Sequence, residues 1–159
     1  MRHRRAPLSD TDRLAMETAL AEARAGGEAG EVPVGAVVLV GGQLVSQAHN
    51  ETIVRRDLTQ HAELIAMQRA MQVLETNRLD DATLYVTLEP CAQCAGAIVL
   101  ARVARVIFGA YDPKAGMAGS VEDLLRHPKL NHRPEVIGGV MEKECGKLLT
   151  AFFRVRRET

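Results

Sequence analysis

With 159 residues and 47% hydrophobic content, the chain can bury a sizeable core and reads as a single globular domain over residues 1–159. Lysine plus arginine equal aspartate plus glutamate at 20 each, so net charge predicts no polyanionic partner and excludes none. No apolar run approaches the ~18 residues of a membrane span. The basic start "MRHRRAPLSDTD" leads into no apolar signal core, so a cytoplasmic location and no membrane partner are expected.

Residues 1–9 read as a flexible basic tail. In "SDTDRLAMETALAEARAGG", Met16, Ala19, Leu20 and Ala23 recur at helical spacing behind a cap at Ser9 or Asp10, and Gly26-Gly27 is expected to end the helix. "VPVGAVVLV" and "QLVSQAHN" are strand-like and meet across Gly41-Gly42, a pair suited to a tight antiparallel hairpin. After the polar loop "ETIVRRDLTQ", a helix begins near His61, with Met67, Ala70, Met71 and Leu74 on one face. "ATLYVTL", the apolar helix "CAQCAGAIVLARV" and "RVIFGA" form a strand-helix-strand unit, the pattern of a parallel crossover. Beyond the glycine-rich "YDPKAGMAGS", the segment "VEDLLRHPKLNHR" is expected to hold a short helix and a turn, and "EVIGGV" a last strand. The closing helix "MEKECGKLLTAFFRVRR" aligns Met141, Cys145, Leu148, Leu149 and Phe152, which places Cys145 on an apolar face.

Three cysteines without a secretory signal argue against a disulfide framework and for metal ligands, a nucleophile or core thiols. Cys91 and Cys94, three apart at the start of a helix, can direct both sulfurs to one point, and a helix N-terminus favours thiolates. Packing against the sheet and a redox pair are the alternatives. A zinc site needs at least one further protein ligand, usually histidine. Of five histidines, His61 alone stands at a predicted helix start with a carboxylate, Glu63, two residues on. A regular helix turns about 200° over two residues, so the two side chains can face one point only at an irregular first turn. Three ligands, His61, Cys91 and Cys94, leave the fourth tetrahedral position open, the mark of a catalytic zinc, and Glu63 then has a task as proton shuttle.

The arrangement H-x-E…P-C-x-x-C resembles the signature of zinc-dependent nucleobase deaminases. "EVPVGAV", "AHN", "HAE", "DATLYVTLEPCAQCAGAIVLARV", "VIFGAYDPKAG", "NHR" and "LLTAFFRVRR" follow one another as in the bacterial tRNA-specific adenosine deaminases, from about residue 12 to the C-terminus. The resemblance implies a cytidine deaminase-like three-layer α/β/α sandwich with a mixed five-stranded sheet, assembled as a homodimer. It further implies one Zn2+ per subunit on His61, Cys91 and Cys94, Glu63 as the catalytic residue, and conversion of the wobble adenosine of a tRNA anticodon stem-loop to inosine. The expected tRNA is an arginine acceptor, and DNA is not an expected partner. Asn50 matches the residue that binds the flipped base, although a turn role after the strand accounts for it equally well. Asp112 matches one that contacts the neighbouring nucleotide backbone. In "FFRVRR", Phe153 would meet unstacked bases, with Arg154, Arg156 and Arg157 facing phosphates.

Two departures from the family pattern stand at Leu58, where proline is common, and Gln60, where a small residue is common. They bear on loop stiffness at the pocket mouth. A guanine or cytosine deaminase acting on free nucleobase is the alternative enzyme. A non-catalytic, zinc-stabilised RNA-binding protein is the alternative outside enzymes, and Glu63 argues against it because a structural zinc needs no such carboxylate.

Overall fold

Alternation along the central strands decides the architecture. In the computed structural model, which describes residues 8–157, the elements run α1 (Asp10–Glu28), β1 (Gly35–Val40), β2 (Gln43–His49), α2 (Ala62–Val73), β3 (Ala82–Leu88), α3 (Ala92–Ala101), β4 (Arg105–Ala110), β5 (Glu135–Ile137) and α4 (Glu142–Arg157). Ala36, Val38, Leu84, Val86, Val106 and Phe108 point into one core with α2 and α3. Their neighbours Val37, Leu39, Tyr85 and Ile107 point into a second core with Met16 and Leu20 of α1 and Cys145 of α4. Successive strand residues face opposite sides, so a sheet covered on both faces requires the near-continuous apolar strands seen here. The result is a three-layer sandwich.

The five-stranded sheet has the order β2-β1-β3-β4-β5. β1 pairs antiparallel with β2 and β3, while β3-β4 and β4-β5 are parallel, so the sheet is mixed as expected. Gly41 and Gly42 close the hairpin at φ +56° and +78°, the left-handed values that a two-residue turn of matching twist needs. α1 lies close on β1: a Cβ at Gly35 would sit 1.9 Å from the Ala19 carbonyl oxygen.

Two expectations are corrected. α1 does not end at Gly26-Gly27 but continues to Glu28. Gly26 serves packing there, since a Cβ would lie 2.9 Å from the His49 side chain, and the left-handed residue is Gly30 at φ +90°. The segment 121–133 forms no helix; turns, an isolated bridge between Ala118 and Asp123, and Arg126 bonds to Ala118 and Asp123 hold it, with Leu125 buried as its anchor. The expected tail, residues 1–9, overlaps the described chain only at Leu8 and Ser9. Ser9 and Asp12 form a reciprocal capping box and Leu8 packs on the second core, while residues 1–7 lie outside the described ones.

Asp12 does more than cap. It is 3% exposed and accepts hydrogen bonds from Tyr85 Oη at 2.6 Å and from two Arg105 nitrogens at 2.7 and 3.0 Å, tying α1 to β3 and β4. Burial raises its pKa, but the bonds from Arg105, Tyr85 and the Ser9 amide outweigh it and hold the carboxyl well below the usual carboxylate range. A depressed folded-state pKa contributes stability above the unfolded value of ~3.9 and loses it as pH falls toward the folded value. Asp12→Ala is therefore expected to cost about 3 kcal/mol at neutral pH, because it leaves the Tyr85 hydroxyl without its acceptor and Arg105 with only the 3.5 Å contact to Glu135. Urea unfolding of both proteins should show that deficit narrowing below pH ~4; an equal deficit at every pH would refute the ionic contribution.

Candidate active site

The starts of α2 and α3 build the site. His61 is the N-cap of α2, with extended backbone at φ −82° and ψ 151°, so its ring leaves the helix direction while Glu63 occupies the first turn. This irregular entry lets the pair share a site that a regular helix would deny them. Cys91 is likewise the extended N-cap of α3, and Cys94 lies in its first turn. An N-cap side chain leans over the turn it starts, which explains the spacing of three.

His61 Nδ1 lies 3.5 Å from Cys91 Sγ and 3.6 Å from Cys94 Sγ, and the three ligand atoms fall within 4.8 Å of one another. An ion with tetrahedral angles and ordinary zinc bond lengths separates N and S ligands by about 3.6 Å. The donor set and its spacing therefore fit a zinc ion. The groups are tightly coupled. A hydrogen bond from the Cys94 thiol, aided by His61, holds Cys91 down at about 3. The same bond and burial push Cys94 up, and the bond with Cys91 raises His61. A divalent cation would replace the shared protons, and two thiolates would neutralise it.

Glu63 is 4% exposed, and burial pushes its carboxyl up to about 7. It lines a cavity of about 760 Å³ together with Asn50, His61, Cys91, Asp112 and Phe153, while the fully buried Cys94 lies outside that lining. Asn50 Oδ1 accepts from the Ala62 amide at 2.8 Å, capping α2 in place of His61, whose side chain makes no cap bond. The oxygen must face that N–H, so the amide NH2 remains as the group Asn50 can offer the cavity. Asp112 Oδ1 accepts from the Lys114 and Ala115 amides at 3.0 and 3.2 Å, folding the loop that carries it.

A family profile described as MafB19-like deaminase matches residues 10–157. The tRNA-specific adenosine deaminase of Bacillus subtilis (strain 168) is 48% identical over 147 residues, covering 92% of this chain and 91% of that protein. The chain belongs to the tRNA-specific adenosine deaminase family. A solved structure from a study of A-to-I editing by tRNA:A34 deaminases at the wobble position matches this family member with a TM-score of 0.83 at 43% identity, covering 86% of this chain and 99% of that one. The guanine deaminase from Nitrosomonas europaea shares the fold, with a TM-score of 0.77 at 22% identity over 95% of this chain and 88% of that one.

The rest of this deaminase's predicted site is less convergent. Phe153 is 46% exposed on the cavity wall, whereas Arg154, Arg156 and Arg157 are exposed on α4 and do not line the cavity. The Arg156 guanidinium stacks 4.2 Å from the Phe152 ring centroid and donates to the Gly30 carbonyl at 2.6 Å. His132 donates to the Val103 carbonyl at 2.7 Å, a loop-fixing role, and His49 pairs with Glu22 at 2.9 Å. Cys145 is buried on the far face of the sheet, where burial raises its thiol to about 11.

At the two departures, Gln60 donates to Asp57 at 3.0 Å and accepts from Arg55 at 3.2 Å, while Asp57 also accepts from the Thr59 amide and hydroxyl. The loop is thus tied by side-chain hydrogen bonds without proline at 58, and Leu58 stands 83% exposed on the cavity rim.

Sequence reasoning passed over two buried glutamates. Glu89 accepts from the amides of Asp112, Ala118 and Ser120 at 2.9, 2.9 and 3.1 Å and from the Ser120 hydroxyl. Glu31 accepts from the amides of Ile53 and Val54, both at 3.0 Å, and from the Thr52 hydroxyl at 3.1 Å. In each, burial raises the pKa and the donors more than reverse it. The available signal was an acid inside the apolar segments "EVPVGAV" and "TLEPC", which must find partners if buried.

Proposed function

We propose that the protein hydrolyses the wobble adenosine of a tRNA anticodon loop to inosine and ammonia, with one zinc ion per subunit on His61, Cys91 and Cys94. The reading extends to an arginine-accepting tRNA as substrate and to a cytoplasmic homodimer. The observation that carries the reaction is the convergence of a zinc-fitting His-Cys-Cys cluster and Glu63, which, unlike the other buried glutamate of the cavity lining, Glu89, is not occupied by loop donors.

Zinc in such a site supplies the Lewis acidity that makes water a nucleophile near neutral pH. Glu63, displaced by burial to about 7, is matched to carry both protons of the attacking water in turn, the first to adenine N1 and the second, from the oxygen added at carbon 6, to the departing amine. Carbon 6 gains oxygen as its C–N bond breaks, so adenosine and water become inosine and ammonia. Asn50, with its oxygen committed to Ala62, donates its NH2 to an acceptor on the flipped base. Asp112 accepts from a ribose 2′-hydroxyl beside the target, which favours RNA over DNA. Phe153 offers a stacking face at the rim, and the exposed Arg154 and Arg157 add long-range attraction for phosphates.

Asn50→Asp keeps the cap on α2 but replaces the donor with a second acceptor. It is expected to lower kcat/KM for the RNA by about 10²-fold with the melting temperature little changed; a variant as active as the parent would remove Asn50 from base recognition. Anticodon stem-loops from several tRNAs with adenosine at the wobble position, assayed side by side for inosine, test the substrate. The arginine acceptor's stem-loop alone is expected to react well, and equal turnover of all of them would overturn that specificity.

A further inference from the structure

Among the described residues three glutamates are buried, and their hydrogen bonding divides them. An ionised carboxylate offers about four acceptor positions. Glu89 receives four donors, three amides and one hydroxyl, all from residues 112–120. Glu31 receives its donors from residues 52–54. Among the described residues neither is paired with a cation, and both are committed to donors of a loop. Glu63 lines the cavity without such a set of loop donors.

The two loops so held form separate parts of the cavity wall. Thr52 and Leu58 belong to one, and Asp112, Pro113, Lys114 and Ala115 to the other. Both loops lack helix or strand, so their amides have few alternative partners once buried. The second loop is wrapped around its glutamate: a Cβ on Gly116 would fall 2.3 Å from the Glu89 carboxylate.

We infer that Glu31 and Glu89 are positioning residues that hold the two substrate-facing loops in binding form, each by gathering the amide donors of one loop onto a buried carboxylate. The part concerning substrate rests on the deaminase reading above; the part concerning the loops does not. The chemical groups stay on the starts of α2 and α3, so loosening a loop weakens RNA binding more than it slows the chemical step.

The test uses the full-length, zinc-loaded protein and its Glu89→Gln and Glu31→Gln variants. Glutamine keeps the shape but turns one acceptor into a donor facing N–H groups. In Glu89→Gln, the Asp112, Ala118 and Ser120 amides are expected to exchange hydrogen at least about tenfold faster while those of Ile53 and Val54 do not change, and Glu31→Gln should give the reverse pattern. KM for the anticodon stem-loop should rise about tenfold in either variant, with kcat altered by less than about threefold and zinc content unaltered. Ser120→Ala removes only one donor to Glu89, and if Glu89→Gln does not fold it should show a weaker form of the same local pattern. Faster exchange throughout the protein, or a fall in kcat at constant KM, would overturn the inference. If the parent protein makes no inosine, the deaminase reading fails, and the exchange pattern alone still decides whether the glutamates anchor the loops.

Discussion

Glu63→Gln is expected to lower deamination of the stem-loop by about 10²–10⁴-fold, the range general acid-base catalysis contributes, while zinc content stays at one per chain. Glutamine fills the same volume in a pocket where Glu63 is 4% exposed, so packing is preserved and only proton transfer is lost. The buried acids divide their labour. Glu31 and Glu89 are saturated by loop donors, Asp12 by Tyr85 and Arg105, and Glu63 is the buried acid left at the cavity beside the His-Cys-Cys cluster. Burial brings its carboxyl to about 7, where it can both accept and release a proton. Zinc analysis and single-turnover inosine formation on the same samples check it. Near-parental turnover with zinc retained would transfer the shuttle role elsewhere.

Cys94→Ala should abolish activity by a different route. Cys94 is fully buried in the first turn of α3, with His61 Nδ1 3.6 Å from its sulfur. Its loss leaves two ligands, and zinc affinity is expected to fall by more than the 10–100-fold seen when only an outer partner of a ligand is removed, a loss of more than about 10²-fold. The parent protein, stripped by chelator and reloaded, should regain both zinc and turnover, while Cys94→Ala should regain neither. A variant that holds zinc and still deaminates would disqualify Cys94 as a ligand.

What could be read from the sequence divides along the distance between interacting residues. "ATLYVTL" and "RVIFGA" match β3 and β4 residue for residue, because a strand buried on both faces writes its state into consecutive apolar side chains. The Gly41-Gly42 hairpin was legible from backbone freedom alone. His61, Glu63, Cys91 and Cys94 do stand at two helix starts, but helix geometry left several readings open, and it was the resemblance of H-x-E…P-C-x-x-C to the deaminase signature that singled the four out together. The link from Asp12 to Tyr85 and Arg105 spans 73 and 93 residues, and no periodicity encodes it. The same holds for the anchoring of the 112–120 loop by Glu89. Gly26 misled because a glycine needed for close packing against His49 looks, in sequence, like one that ends a helix. Asn50 was ambiguous for a reason the structure makes plain: one end of its amide caps α2, and the other end remains for the cavity.

The central claim is that this cavity deaminates adenosine held in an RNA loop. The most direct measurement incubates zinc-loaded protein with an anticodon stem-loop carrying wobble adenosine, its DNA counterpart, free guanine and free cytosine, and quantifies inosine and ammonia in each. Inosine at the wobble position of the RNA, with the DNA and the free bases essentially unreacted, is the predicted result. Ammonia from a free base with the RNA untouched would contradict it.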